Sequence, residues 1–514
     1  MAVGLGTGCS GSETKGSSTG STGGAAPTGQ ATVQPVRGGT LRVVFPGEIN
    51  PKSTPFGISP PNQYLTMGVY DALTNYPLDS LDPRPVLAES WKFAPDFSSL
   101  TINLRKGVKW HSGRPLTAED VKWNIQMAAD PATASQLMNF GKWVQKFEIP
   151  DPNTLVLQFD QARPSIFDMF NNLYIADPQT WDDSQAGKRF VGTGPFMFKE
   201  WVPGDHFTLV RNPDYWRQGL PYFDDLTERI IPDAQTRLLN LQTDAADVAD
   251  SIDPLDLKQL QGDKKYNIVV NPVVTQVWCA GCDVKAPALA DKRVRQAISY
   301  LIDRQRIVDT HLAFSEPMVL PWGKTSPAYD ADLATRYPYN PAKAKELLAQ
   351  VGSDLQTNLT IYTGASWPQS WPMADMLQAE LTKLGWKVDI QRLQSPEFTP
   401  KLTGGTFRGI WLQSLGFMHM TPSTLFVMSF PYRIPNGSNF DSPEYRQLTA
   451  DILKTADQAE LKTLYRKMNE LLLDECFFIP IAANNVPITT TAKIRNFQLT
   501  RGGWPFVSEI WKTK

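Results

Sequence analysis

Residues 191–216 read VGTGPFMFKEWVPGDHFTLVRNPDYW, and this stretch indicates more about the fold than any other. A glycine turn precedes a β-prone run at 196–201, the turn PGD follows at 203–205, and the returning run stops at the NP pair, 212–213. This order predicts a β-hairpin. No helix pattern and no Lys-Ser/Thr pair follow the glycines, although a phosphate-binding loop requires both. The P-loop and dinucleotide-binding classes are therefore excluded for this stretch.

The composition is that of a large globular protein. Its 514 residues exceed the size at which a single core stops growing, so at least two lobes are expected. With 41% apolar and 20% charged residues, the chain is neither disordered nor fibrous. The net charge of -2, without long basic runs, argues against nucleic acid as a partner. No stretch approaches the roughly 20 apolar residues of a membrane-spanning helix.

Strand-like and helix-like segments alternate along the rest of the chain. Strand patterns occupy 40–45, 99–104, 153–159, 266–274, 359–363, 386–391 and 476–481. Helical patterns occupy 65–73, 234–245, 293–302, 341–351, 372–384 and 458–473. A further helix is predicted after Thr117, where Asp120 three residues later completes a capping signal. The mixture predicts α/β lobes around open sheets.

The hairpin and six further blocks carry a resemblance to a known family. In chain order the blocks are RGGTLRV (37–43), PVLAESW (85–91), LRKGVKWH (104–111), LTAEDV (116–121), DKRVRQA (291–297) and YNPAKAK (339–345). The residues and the order of these blocks resemble those of the extracytoplasmic solute-binding proteins of ABC importers, family 5. Members of that family take up peptides, nickel and some oligosaccharides.

The resemblance implies an α/β fold with two lobes, of the periplasmic-binding-protein type II, with mixed sheets, flanking helices and a hinge. The first lobe would comprise 38–270, with an extra subdomain at about 61–189, and would be completed by 485–514. The second lobe would comprise 271–484. Because the chain crosses twice between the lobes, we expect them to close over a solute.

The N-terminal segment, 1–37, resembles that of a bacterial lipoprotein. Residues 5–9, LGTGC, resemble a cleavage box in which Cys9 is lipidated, but only eight residues precede the cysteine. Either the start is truncated or the cysteine is accidental. Residues 10–34 are rich in Gly, Ser and Thr, a composition typical of a flexible tether. We therefore expect an extracytoplasmic protein held at the membrane by a lipid anchor.

Signals for catalysis are absent from the sequence. The four histidines fall in no H-E-x-x-H motif, and no G-x-S-x-G elbow stands between a predicted strand and a predicted helix. Cys279 and Cys282 form a C-x-x-C without the second pair that a zinc site requires. A disulfide with Cys476, a strained local bridge and buried free thiols all remain open.

Two loops are candidates for solute contact. Residues 410–422, IWLQSLGFMHMTP, match a segment that supplies a carboxylate to the peptide ammonium group in relatives, yet they contain no Asp or Glu. A buried ammonium group without a counter-charge is costly, so this charge would have to come from Glu48, beside Ile49 and Asn50. Met418 and His419 also offer soft and borderline metal ligands, which makes His419 a candidate for nickel.

Aromatic side chains of the second lobe are candidates for the walls of the site. They fall in or just after predicted strands, and their faces can stack on sugar rings, peptide side chains or a cation. They are Trp278 with its neighbour Cys279, Trp367, Trp371, Trp411 and Phe417.

Together these features predict a non-enzymatic, monomeric solute-binding protein without a cofactor. It would capture a solute outside the cytoplasm and deliver it to the permease subunits of an ABC importer. Peptide is the first candidate ligand by analogy. An oligosaccharide or opine-like solute comes second and a nickel chelate third. An enzyme or sensor that reuses the scaffold is the alternative from another class.

Overall fold

The computed structural model describes residues 34–57, 59–352 and 355–513. Cys9 and the predicted tether up to residue 33 lie outside the described residues. The strands, in chain order, are β1 (Thr40–Phe45), β2 (Thr74–Asn75), β3 (Arg84–Pro85), β4 (Ala88–Phe93), β5 (Ser99–Leu104), β6 (Val144–Asp151), β7 (Thr154–Phe159), β8 (Phe196–Val202), β9 (His206–Arg211), β10 (Asp225–Ile230), β11 (Val248–Asp250), β12 (Tyr266–Val269), β13 (Val277–Cys282), β14 (Asn358–Gly364), β15 (Lys387–Leu393), β16 (Ile410–Leu415), β17 (Phe478–Ala483), β18 (Ile488–Thr491), β19 (Ile494–Arg495) and β20 (Trp511–Lys512).

The α-helices alternate with these strands. They are α1 (Gln63–Val69), α2 (Ala118–Ala129), α3 (Met138–Trp143), α4 (Phe167–Asn172), α5 (Trp181–Gln185), α6 (Ala234–Gln242), α7 (Pro254–Leu260), α8 (Lys292–Leu301), α9 (Arg304–His311), α10 (Pro341–Val351), α11 (Trp371–Lys383), α12 (Ser395–Gly404), α13 (Pro422–Met428), α14 (Pro443–Lys454) and α15 (Gln458–Glu475). None of the described helices combines the length and the apolar character that a membrane crossing requires.

The predicted hairpin forms from β8 and β9, which pair antiparallel from Phe196–Arg211 to Val202–His206. It lies at the edge of a seven-stranded sheet with the order β12-β18-β11-β1-β10-β9-β8. Its glycine turn packs against the end of α1, because a Cβ atom on Gly192 would lie 2.0 Å from the carbonyl oxygen of Val69. The glycines therefore permit close backbone packing at this turn.

The chain forms two further large sheets. Five strands with the order β15-β14-β16-β13-β17 make the second sheet, in which β14 is parallel to β15 and β16. Four antiparallel strands, β4-β5-β7-β6, form the third sheet with α2 and α3 beside it. Each large sheet falls within one segment expected from the resemblance: the first lobe, the second lobe or the subdomain. The fold class is confirmed as α/β with mixed sheets and flanking helices, and the lobe boundaries stay predictions.

The structure corrects several details of the sequence-based prediction. Helix α1 ends at Val69 and not at residue 73, because Tyr70 is extended. Within the predicted helix 234–245, which contains α6, Leu238 and Leu241 are buried but Leu239 is 56% exposed. Strand β12 ends at Val269, short of the predicted 274, and Pro272 cannot donate to a strand ladder.

Candidate functional site

Two sets of loops leave the carboxyl ends of parallel strands, where open α/β sheets bind their ligands. In the first sheet β1 is parallel to β10 and β11, and the loop after β1 holds Glu48. In the second sheet β14 and β16 are parallel, and the loops after them hold Trp367 and Phe417. The sequence-predicted site residues therefore fall mainly on, or next to, these loops.

Three polar side chains, which we call the polar edge, lie together at one end of the second sheet. Gln276 precedes β13, Ser414 lies near the end of β16, and Asn484 follows β17. The Asn484 amide donates to Ser414 Oγ (2.8 Å) and to Gln276 Oε1 (3.0 Å), and Ser414 Oγ donates to Gln276 Oε1 (3.1 Å). All three are half-buried, so their remaining hydrogen-bonding capacity faces a partly open space.

Sequence reasoning missed the polar edge. The available signal is that Gln276 and Asn484 adjoin the apolar runs VWCAGC and FIPIAA, where a polar residue marks the end of a buried strand. Only the antiparallel pairing of β13 with both β16 and β17 brings the three side chains together.

The loop 416–421 leaves the same end of the second sheet and contacts the first lobe. The Met418 N–H donates to the carbonyl oxygen of Thr275 (3.2 Å), which fixes the loop beside the polar edge. Arg501, in the C-terminal segment, donates from Nε to the carbonyl oxygen of His419 (2.8 Å). The Met420 side chain packs in the core of the subdomain. This loop therefore links the second sheet to the subdomain and the C-terminal segment.

The first-lobe candidates are held by their own lobe. The Glu48 carboxylate accepts a hydrogen bond from Trp201 Nε1 (2.8 Å) and another from the Gly204 N–H at the tip of the hairpin. Ile49 is buried in the core of the first sheet. Asn50 accepts from the Lys52 N–H (3.1 Å). The charge of Glu48 is therefore engaged within the first lobe.

The four tryptophan candidates of the second lobe divide into two groups. Trp278 and Trp411 are buried in the core with their indole N–H groups unpaired, and the Trp411 ring occupies the space where a Cβ atom on Gly281 would lie. Trp367 and Trp371 are half-buried beside the end of β14, where Trp371 Nε1 donates to the carbonyl oxygen of Gly364 (3.1 Å). Only the second group presents open surface.

The three cysteines with described positions are buried free thiols. Cys279 donates to the carbonyl oxygen of Gln413 (3.2 Å), and Cys476 donates to that of Leu473 (3.0 Å). Burial raises the pKa of the Cys282 and Cys476 thiols to about 12, so both stay protonated at neutral pH. The sequence left open a disulfide with Cys476, a strained local bridge and buried free thiols, and the structure has buried free thiols at all three positions.

His419 has no hydrogen-bond partner on either ring nitrogen and is 4% exposed. Burial, with the positive charge of Arg501 as a second cause, lowers its pKa to about 4. The Met418 and Met420 thioethers pack in two different cores, so they do not converge on the imidazole. Among the described residues, no group of three or more His, Cys, Asp or Glu side chains is placed to hold a metal ion.

A cavity of about 740 Å³ lies beside His419. Its described lining residues come from the first lobe, the subdomain and the C-terminal segment, and among them only His419 belongs to the predicted second lobe. Tyr174 and Trp504 stack in its wall with ring centroids 5.8 Å apart. The Thr74 hydroxyl, also in the wall, is buried without a partner.

Comparison with known proteins agrees with this architecture. Residues 82–434 match the family model of the bacterial extracellular solute-binding proteins, family 5. The glutathione-binding protein GsiB of Escherichia coli (strain K12) is 27% identical over 434 residues, which cover 80% of this chain and 83% of the relative.

Two solved structures share the fold over nearly the whole chain. The ABC transporter substrate-binding protein CtaP of Listeria monocytogenes superimposes with a TM-score of 0.80 at 23% identity, covering 93% of this chain and all of that one. The periplasmic binding protein DppA of Helicobacter pylori, in complex with the peptide STSA, gives 0.77 at 22% identity, covering 93% and 99%.

The family model matches well over half of the chain, so the protein belongs to the bacterial extracellular solute-binding proteins, family 5. It is a substrate-binding protein of an ABC importer and acts outside the cytoplasm.

Proposed function

We propose that the solute is a peptide, bound between the polar edge and the loops of the first lobe. The polar edge carries the argument, because an amide pair and a hydroxyl group offer the donors and acceptors that a peptide backbone requires. GsiB is named for glutathione, and DppA was solved with a peptide. Both similarities favour the same ligand class.

The peptide would be held through its backbone and not through its terminal ammonium group. Residues 410–422 contain no carboxylate, and Glu48 is engaged by Trp201 and Gly204. N-terminal acetylation of a bound peptide should therefore change its Kd by less than about threefold. A loss of tenfold or more on acetylation would contradict backbone recognition.

Isothermal titration with a peptide library tests the proposal directly. Asn484→Ala and Gln276→Ala should each weaken binding by about 2–10-fold, since one net hydrogen bond contributes about 0.5–1.5 kcal/mol. Leu239→Ala, at an exposed position of α6, is the control and should bind normally. Unchanged affinity in both polar-edge variants would exclude this site.

An oligosaccharide or opine-like solute is the second candidate, and the cavity beside His419 favours it. The unpaired imidazole and the Thr74 hydroxyl match sugar hydroxyl groups, and aromatic walls suit a ring. Trp504→Ala should then abolish sugar binding and leave peptide binding intact.

A nickel chelate is the third candidate ligand. If the protein binds one through His419, nickel should raise its Tm, and His419→Ala should abolish this increase.

We infer that the bound solute leaves unchanged, so that the protein is no enzyme. Incubation with peptides followed by mass spectrometry should return intact peptides, and cleaved products would overturn this inference. Co-purified solutes, identified by native mass spectrometry, would also name the ligand. Native mass spectrometry also gives the mass of the intact assembly, which tests the expectation that the protein is a monomer.

We also propose that Cys9 anchors the protein to the membrane through a lipid, as its LGTGC context suggests. Cells that express the full chain should incorporate a fatty-acid label, and Cys9→Ser should remove it. Cys476→Ser is the control, because that thiol is buried. Equal labelling of the Cys9→Ser variant would contradict the anchor.

A further inference from the structure

Residues 417–428, which we call the clasp segment, belong to the predicted second lobe but pack against the subdomain. Met420 and Met428 are buried in the subdomain core, and Phe417 and Val427 pack at its margin. Asn139 of α3 donates to the carbonyl oxygen of Val427 (3.0 Å). The segment includes α13 and most of the loop beside the polar edge.

Asp168 of α4 lies at the centre of this contact. Its fully buried carboxyl group accepts from the Thr421 N–H (3.2 Å) and the Thr421 hydroxyl (2.9 Å) through Oδ1. Its Oδ2 atom is bonded to the Thr424 hydroxyl. A carboxyl group that stays buried without such partners is destabilised, because nothing replaces its lost hydration. The hydrogen bonds of Asp168 therefore favour the arrangement in which the clasp segment packs against the subdomain.

We propose that Asp168 is the positioning residue that holds the clasp segment against the subdomain and so places the loop 416–421 beside the solute. The inference rests on the proposed function, since it assigns Asp168 a role in solute affinity without contact with the solute. The charged or titratable groups that face Asp168 are Tyr76, Tyr465 and Arg501.

The geometry distinguishes between two substitutions of Asp168. An asparagine keeps one oxygen to accept from Thr421 and gains an N–H group that can donate to the Thr424 hydroxyl. An alanine removes every one of these bonds. Burial raises the pKa of Asp168, and a neutral side chain of the same shape is therefore well suited to this position.

The test compares peptide affinity and thermal unfolding of full-length variants. Asp168→Ala should raise the peptide Kd at least tenfold, and Asp168→Asn should stay within about threefold of the original. Thr424→Ala, on the other side of the contact, should weaken binding as well. The double variant Asp168→Ala/Thr424→Ala should be no weaker than Asp168→Ala alone, because both remove the same interaction. Glu89→Ala, at an exposed position of β4 in the subdomain, should change neither the peptide affinity nor the Tm.

Normal peptide affinity of Asp168→Ala, with only a lower Tm, would show a merely structural role and overturn the proposal. If Asp168→Ala does not fold, the peptide affinity of Thr424→Ala is the test. Unchanged peptide affinity of that variant would overturn the proposal. If the unmodified protein binds no peptide, the proposed function fails, and hydrogen exchange in the solute-free protein tests the clasp. Exchange of the Thr421 amide at least tenfold faster in Asp168→Ala would support it, and equal exchange would overturn it.

Discussion

At the scale of single residues, Glu228 is a buried acid without a partner. It lies on β10 opposite Val43, is fully buried, and neither carboxyl oxygen has a hydrogen bond. Burial, followed by the nearby charges of Asp250 and Glu48, raises its pKa well above the ordinary value. Burial also raises the pKa of Asp250 to about 6. Because Glu228 is fully buried without a partner, we expect it to keep its proton at neutral pH.

This predicts a loss of stability with rising pH. The unfolded chain ionises Glu228 near pH 4.3, whereas the folded chain keeps the proton, so stability is complete below about pH 4 and falls as the pH rises towards the folded pKa. Glu228→Gln should remove this part of the loss and stabilise the protein at pH 7 by about 1–3 kcal/mol. Urea unfolding at pH 5 and pH 7 measures both effects. Glu89→Gln, at an exposed position, should leave the pH dependence as it was.

Trp411 is a residue that the sequence assigned to the binding site but that lies in the core. It was a candidate groove wall because it was counted among the aromatic residues in or just after predicted strands, yet it is fully buried against Gly281 and near Phe478. Trp411→Ala should lower the free energy of unfolding by about 3–5 kcal/mol, as a large cavity does. Chemical denaturation measures this, with Leu239→Ala as the surface control, expected within about 0.5 kcal/mol. A loss below 1 kcal/mol would contradict core packing.

At the scale of elements, the hairpin and its glycines decide how α1 meets the first sheet. Gly192 and Gly194 both lie against the backbone of Val69, and the Gly194 N–H donates to the Val69 carbonyl oxygen (2.9 Å). Gly204, at the hairpin tip, has no atom near its Cβ direction and a φ of 77°. Glycine is therefore required at 192 and 194 for close backbone packing, and at 204 for a left-handed backbone conformation.

Substitution at these glycines should separate the two requirements. Gly192→Ala places a methyl group in contact with backbone that cannot move aside, so we expect a loss of at least about 3 kcal/mol. Gly204→Ala carries only the cost of a left-handed conformation, about 1 kcal/mol. Thermal unfolding of the two variants compares these costs. Equal losses would contradict the packing explanation.

Element boundaries followed from local signals wherever those signals were strong. The Thr117–Asp120 pair caps α2, with the Thr117 N–H bonded to Asp120 Oδ2 (2.9 Å), and α10 runs from Pro341 to Val351 as predicted. Helix α6 instead ends at Gln242, before Asp244 adopts a positive φ of 57°. Periodicity alone does not indicate such a turn, because Asp tolerates both conformations.

At the scale of the whole molecule, solute capture requires that the lobes change their separation. A bound peptide that contacts both the polar edge and the first lobe should favour the closed form, because closure buries it from water. X-ray scattering should therefore show a smaller radius of gyration with peptide. The control is Asn484→Ala/Gln276→Ala at a peptide concentration equal to the Kd of the original protein, where this variant should stay closer to the solute-free value. Identical profiles with and without every bound peptide would contradict closure.

From the sequence patterns, the family, the α/β class, nine of the 20 strands and seven of the 15 α-helices in the described part of the chain could be predicted, because turn residues, caps and periodicity act over a few neighbouring positions. Which side chains meet depended on the tertiary structure. Gln276, Ser414 and Asn484 are far apart in the chain and become neighbours through strand pairing. Asp168 meets Thr421 across the predicted lobe boundary. Such contacts depend on strand order and packing, which local sequence patterns do not encode.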